Sequence, residues 1–259
     1  MAARLTGHHN GGMHTDPAVL DPAAVGSERR LQVVGHRGDP YRARENTLAS
    51  LRNAFAQGAD AVEIDVRLTT DKVPVLLHDD NLSRLWGKER SLYGLSARDV
   101  RDLTGGQVPT LHEALEACPG RFMIDLPGAT ASTAAAVVDT VQACGADQRV
   151  CYCAGANTML AVRAADPTAE IALTWTTSCP PRRSLLSALA PRWLNYRFGL
   201  ISRELVHQTH AEGLLVSAWT ADTRRTMRAL LAAGVDSVTT NRVTALVKER
   251  DAVRGGRGG

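Results

Sequence analysis

The chain has 259 residues, of which 44% are hydrophobic and 22% charged, a balance that fits a globular protein of one large domain or two small ones. A net charge of +3, without blocks of like charge and with only 4% aromatic residues, argues against nucleic-acid binding through a basic surface or a stacking platform. No run is apolar enough to span a bilayer or to form the core of a secretory signal, so the expected location is cytoplasmic, with no transmembrane segment.

Residues 1–30 are rich in Gly, His, Ala and Pro without periodicity and read as a disordered tail. His8, His9 and His14 within it are expected to be solvated rather than metal ligands. Residues 31–36 (LQVVGH) read as a strand, and Thr47 to Gln57 as a helix closed by Gly58. Residues 59–66 (ADAVEIDV) form a second strand. Two capping boxes, Ser96 with Asp99 and Thr110 with Glu113, mark helix starts further on. Residues 121–126 (RFMIDL) are a third strand, followed by an Ala-rich helix over 131–143. A fourth strand covers 149–153, with a helix over 157–165, and a fifth covers 170–175. The remaining strands are expected at 193–196, 213–219 and 235–240, with a helix from Asp222 to Ala233 before the last.

Alternating strands and helices imply a parallel sheet. Eight such units in about 220 residues suit a closed (β/α)8 TIM barrel better than a doubly wound sheet. No G-x-G-x-x-G or Walker A sequence opens a helix, which also disfavours a nucleotide-binding sheet. The expected organisation is a tail over 1–30, a barrel domain over 31–246 and a second tail over 247–259.

One segment breaks the alternation. After the second strand, RLTTDKVPVLLHDD leaves no room for a crossover helix, so it is expected to fold back as a β-hairpin leading into a compact insertion over 80–108. A two-residue turn at Asp71-Lys72 would pair 70 with 73 and, counting outward, Asp65 with His78.

Glu63 and Asp65 are two apart on a strand and therefore face the same way, into the barrel, while Ile64 and Val66 face the covering helices. Asp125 ends the third strand in a similar setting. Three carboxylates without thiolate or imidazole suit a hard divalent cation, Mg2+ or Ca2+. The competing reading is a buried ion-pair network with Arg37 and Arg67. His36 and His78 fall at the strand ends where TIM barrels carry chemistry, and two histidines converging on carboxylates suit acid/base work. Arg37 supplies a fork donor for phosphate. The five cysteines, Cys118, Cys144, Cys151, Cys153 and Cys179, form no C-x-x-C pair and read as reduced thiols, with Cys151 and Cys153 on one strand face.

His36-Arg37-Gly38, Glu45-Asn46-Thr47, Glu63-Ile64-Asp65-Val66, Thr70-Asp71 and His78-Asp79 follow one another in an order that resembles the glycerophosphodiester phosphodiesterases. Arg84, Pro109-Thr110-Leu111, Ala218-Trp219-Thr220 and Gly234-Val235-Asp236 extend the likeness over about residues 31–243. The resemblance implies a (β/α)8 barrel that hydrolyses small glycerophosphodiesters to glycerol 3-phosphate and an alcohol. It implies His36 and His78 as the acid/base pair and Glu63 and Asp65 as metal ligands. It also implies attack by the substrate's own neighbouring hydroxyl, through a cyclic phosphate.

The chain departs from the family pattern in several places. Asp125-Leu126-Pro127 stands where Glu-x-Lys is usual, which shortens the third ligand and removes a positive charge. Asp222 stands where asparagine is usual, and Asn241 where aspartate is common. Trp219 is expected to contact substrate. Leu85, Trp86 and Tyr93 in the insertion are candidate substrate walls, with loop packing as the competing reading. Two other functions remain open: a phosphodiesterase or lyase similar to sphingomyelinase D, and a non-catalytic barrel that still binds metal or ligand.

Overall fold

The computed structural model of the protein describes residues 30–255. The readings made for residues 1–29, including His8, His9 and His14, lie outside that range. In chain order the elements are β1 (Gln32–His36), α1 (Leu48–Ala56), β2 (Ala61–Leu68), β3 (Pro74–Leu76), α2 (Ser83–Trp86), α3 (Ala97–Thr104), α4 (Leu111–Ala117), β4 (Arg121–Asp125), α5 (Ala131–Ala143) and β5 (Val150–Ala154). They continue with α6 (Ala156–Ala165), β6 (Glu170–Trp175), α7 (Arg183–Leu189), β7 (Trp193–Arg197), α8 (Arg203–Ala211), β8 (Leu215–Trp219), α9 (Arg224–Ala233), β9 (Ser237–Thr240) and α10 (Val243–Gly255). The last helix runs through the boundary expected at 246–247, so residues 247–255 are helix rather than tail.

The parallel strands follow the order β1-β2-β4-β5-β6-β7-β8-β9, and β9 pairs back with β1. This is the expected closed barrel, with β3 as one extra strand paired antiparallel outside it. Period-two alternation sorts the side chains. On β2 and β4, Val62, Ile64, Val66, Phe122 and Ile124 are fully buried against the helical ring. Met123, Cys151, Cys153, Ala172 and Trp193 pack together in a separate interior cluster, which places both central cysteines on the inner face. Both capping boxes form, with Ser96 and Thr110 each accepting from the backbone N–H three residues on. Among the described residues no helix is long and apolar enough to cross a membrane.

The hairpin differs by one residue from the expected register. Val66 pairs with Leu76 and Leu68 with Pro74, so Leu77, not His78, stands opposite Asp65. The cause is a three-residue loop, Thr70-Asp71-Lys72. Lys72 N–H donates to the Thr69 carbonyl at 3.0 Å, and Lys72 itself takes a left-handed φ of 62°. A turn followed by one left-handed residue is the usual three-residue hairpin geometry. A one-residue shift reverses every side chain along a strand. His78 still lies at the mouth because β3 ends at Leu76 and the chain bends at residues 78–80. Arg67 Nε holds that bend by donating to the His78 carbonyl at 2.7 Å.

Candidate active site

Register brings the acidic residues together. β1 sets His36 beside Glu63, and β2 sets Asp65 beside Asp125 on β4. Glu63, Asp65 and Asp125 each offer a carboxylate oxygen, and these oxygens lie within 4.8 Å of one another, close enough to share one cation. Glu63 and Asp65 are buried. Burial, then the charges of Asp65 and Asp125, push Glu63 well above the usual carboxylate range. Burial, then Asp65, push Asp125 up to about 7.

Arg37 is the guanidinium at this cluster. Its Nε lies 3.0 Å from Asp65 Oδ2 without the alignment of a hydrogen bond, and its Nη1 donates to Glu45 at 2.8 Å. Its backbone N–H donates to Glu63 at 2.9 Å. One positive charge facing three carboxylates is too little for the ion-pair network weighed above, and Arg67 is turned to the His78 backbone instead. The donor set, hard oxygens carrying excess negative charge in a partly dry site, fits a divalent cation. Asn46 supports Asp65 from behind: its Nδ2 donates to Asp65 Oδ2 at 2.8 Å and its Oδ1 accepts from the Asp65 N–H at 3.2 Å. Arg37 and Asn46 both hold left-handed φ values, 54° and 56°, which cost non-glycine residues energy and recur at functional sites.

The two histidines are held differently. His36 Nδ1 lies 2.8 Å from Asn241 Oδ1, and its Nε2 lies 4.0 Å from Glu63 Oε2. Burial, then the Arg37 charge, push His36 below its ordinary value, which favours the neutral imidazole. His78 Nδ1 lies 2.8 Å from the Asp79 carboxylate, and Arg84 anchors that carboxylate at 2.6 Å while also reaching Glu45 at 2.7 Å. The hydrogen bond from Arg84 pulls Asp79 down to about 2. A depressed carboxylate stabilises the fold above its unfolded value, about 3.9, and loses that contribution as pH falls through the folded value. The melting-temperature gap between the protein and Asp79→Asn should therefore close as pH falls from about 5 to about 2. A gap that stays constant over that range would remove the ion pair from the account.

A cavity of about 590 Å³ opens over these groups, lined by His36, Arg37, Glu63, Asp65, His78 and Asp125, and on the far side by Thr174, Asn195 and Trp219. All seven site residues expected from the sequence thus meet in one cavity. Pro127 lines it too, where the family pattern has lysine. Leu85, Trp86 and Tyr93 do not line it. Trp86 packs on a small core formed by Leu77, Leu82, Leu92 and Val100 and is covered by Arg44 at 4.2 Å, and Tyr93 is 69% exposed. Loop packing is therefore the right reading for Trp86, while Tyr93 is turned to solvent. The sequence reading missed Asn46, Asp79, Asp222 and Asn241 as site supports. The signal available was position, since each polar side chain sits just past a strand or turn at the barrel mouth.

A family model described as the glycerophosphoryl diester phosphodiesterase family matches residues 36–245. Glycerophosphodiester phosphodiesterase 1 of Rattus norvegicus is 37% identical over 101 residues, which cover 34% of this chain and 30% of that protein. The match thus spans less than a third of that mammalian relative. A glycerophosphodiester phosphodiesterase of Caldanaerobacter subterraneus subsp. tengcongensis is 25% identical over 237 residues, covering 83% of this chain and 96% of that one. Among solved structures, an Oleispira antarctica phosphodiesterase in complex with the product sn-glycerol-3-phosphate superposes with a TM-score of 0.74 at 26% identity, covering 86% of this chain and 97% of that one.

Proposed function

Because the chain belongs to the glycerophosphoryl diester phosphodiesterase family, we propose that it hydrolyses small glycerophosphodiesters to glycerol 3-phosphate and an alcohol, with His36 and His78 as the acid/base pair. The observation that carries the reading is the convergence, in one cavity, of two oriented histidines on three clustered carboxylates. Glu63, Asp65 and Asp125 would hold a divalent cation, Mg2+ or Ca2+. When bound, such an ion supplies charge stabilisation for the phosphate oxygens as negative charge develops.

The chain's own residues account for the proton transfers. His36, kept neutral by burial, takes the proton from the attacking glycerol hydroxyl. His78, whose Nδ1 faces the Asp79 carboxylate, is suited to carry the proton that the leaving alkoxide needs. An unassisted alkoxide leaves poorly, so this donation is required. The attack closes a cyclic phosphate, which water then opens with the two roles exchanged. Arg37 adds a fixed positive charge beside the phosphate, and Trp219 on the far wall faces the glycerol or alcohol portion.

The test is product formation from glycerophosphocholine and glycerophosphoethanolamine with Mg2+, with Ca2+ and with chelator. Chelator-sensitive release of glycerol 3-phosphate is expected. Release of phosphocholine or phosphoethanolamine instead would overturn the bond assignment, and turnover indifferent to chelator would overturn the cation. Asp125→Ala should weaken metal binding, read by calorimetric titration. Removing groups one shell further out typically costs about 10–100-fold in affinity, so losing a ligand should cost at least as much. An unchanged affinity would exclude Asp125 as a ligand.

A further inference from the structure

Asp222 lies just past β8 and Asn241 just past β9, and pairing of these two strands brings the residues together. Asp222 grips Asn241 at two points. Its Oδ1 accepts from the Asn241 backbone N–H at 2.8 Å, and its Oδ2 accepts from Asn241 Nδ2 at 2.7 Å. Thr240 Oγ1, 3.2 Å from the same Oδ1, steadies the carboxylate. A carboxylate only accepts hydrogen bonds, so the amide nitrogen of Asn241 must face Asp222 and its oxygen must face away. That oxygen is the atom 2.8 Å from His36 Nδ1. An amide oxygen also only accepts, so Nδ1 of His36 must carry the proton. In the neutral imidazole, Nε2 is then left with its lone pair on the side of the carboxylate cluster.

We propose that Asp222 is a positioning residue: acting through Asn241, it fixes the Nδ1–H tautomer of His36 and so presents Nε2 as the base. This rests on His36 being the base in the reaction above. The Asp222 charge also acts on His36 through space, favouring its protonation, but the choice of tautomer follows from donor and acceptor polarity along these contacts. The alternative for Asn241, a merely structural cap on the end of β9, explains the bond to its backbone N–H but not the side-chain bridge to His36.

Three variants and two readouts test it. In Asp222→Asn, residue 222 both donates and accepts, so the Asn241 amide is free to flip and present a donor to Nδ1. In Asn241→Asp, two carboxylates face each other at hydrogen-bond distance. In the double variant, the amide at 222 donates to the carboxylate at 241, and that carboxylate accepts from Nδ1, so the tautomer is restored. Each single variant should lose at least about tenfold in kcat with KM changed less than about twofold, and the double variant should recover most of the loss. Nitrogen-15 NMR of His36 should show the Nδ1–H tautomer in the parent and the double variant and a mixture in Asp222→Asn. An unchanged Nδ1–H tautomer in Asp222→Asn, or a double variant no better than the worse single one, would overturn the proposal. A tautomer that shifts in Asp222→Asn without a change in kcat supports the relay and instead removes His36 from the role of base.

Discussion

His36→Ala and His78→Ala should each lower kcat by about 10²- to 10⁴-fold, the usual share of a positioned acid or base, while the barrel stays folded. The two losses arise from different transfers. His36 sits on β1 at the mouth, half-buried, with its Nδ1 on a neutral amide and its Nε2 turned to Glu63. His78 sits past β3 with its Nδ1 on a carboxylate that Arg84 pins in place. Neither ring belongs to the hydrophobic core, which is built from residues such as Leu51, Ile64 and Phe122. Truncation therefore removes chemistry without opening a cavity in the core, and thermal melting should shift little. Steady-state kinetics on glycerophosphocholine at saturating divalent cation, alongside the melt, is the measurement. Wild-type turnover in either variant would refute that assignment. A large loss of melting temperature would mean that the ring had been holding the mouth together.

Much of the barrel was legible because its strands obey period two. In β2, Glu63 and Asp65 alternate with Val62, Ile64 and Val66, and that alternation fixed which groups share the interior before any pairing was known. The strand ends carrying His36 and Asp125 followed from the same reasoning. What was hidden depended on backbone conformations that residue type does not announce. Lys72 adopts a left-handed φ that glycine or asparagine would have signalled, so the loop seemed one residue shorter and His78 was paired wrongly. Arg37 takes that conformation equally unannounced, whereas Asn46 is of a residue type that favours it. The remaining supports join residues far apart in sequence: Arg84 reaches Glu45, and Asn241, near the other end of the chain, reaches His36 because β9 closes on β1. Contacts of that kind are set by closure of the sheet, and closure is a property of all eight strands together. The short helix α7 escaped notice because seven residues carry too little periodicity to read.

Gly38→Ala should destabilise the protein by about 2–5 kcal/mol, roughly 1–2 from the left-handed conformation and 1–3 from overpacking. Gly38 has a φ of 87°, and a Cβ there would stand 2.5 Å from the Ser50 carbonyl carbon and 2.6 Å from its oxygen. These are backbone atoms of α1 and cannot swing aside. The same stretch is laced to that helix on both sides: Ser50 Oγ donates to the Arg37 carbonyl at 2.8 Å, and the Asp39 N–H donates to the Ser50 carbonyl at 3.0 Å. Relief of the clash therefore has to move residues 37–39, and with them the Arg37 N–H that holds Glu63 and the Arg37 carbonyl that accepts from Asn46. The displacement lands on the acidic cluster, where an error of about 1 Å can cost about 10²-fold in rate. Gly87→Ala is the matched control. Its φ is also left-handed, at 62°, but nothing lies within 4 Å of the added carbon. It should cost about 1–2 kcal/mol and leave kcat alone. Melting temperature, kcat and metal affinity measured for both variants separate backbone strain from steric displacement. If Gly38→Ala proves as mild as Gly87→Ala in all three, close packing of the His36-Arg37-Gly38 turn against α1 is not what holds Glu63 in place.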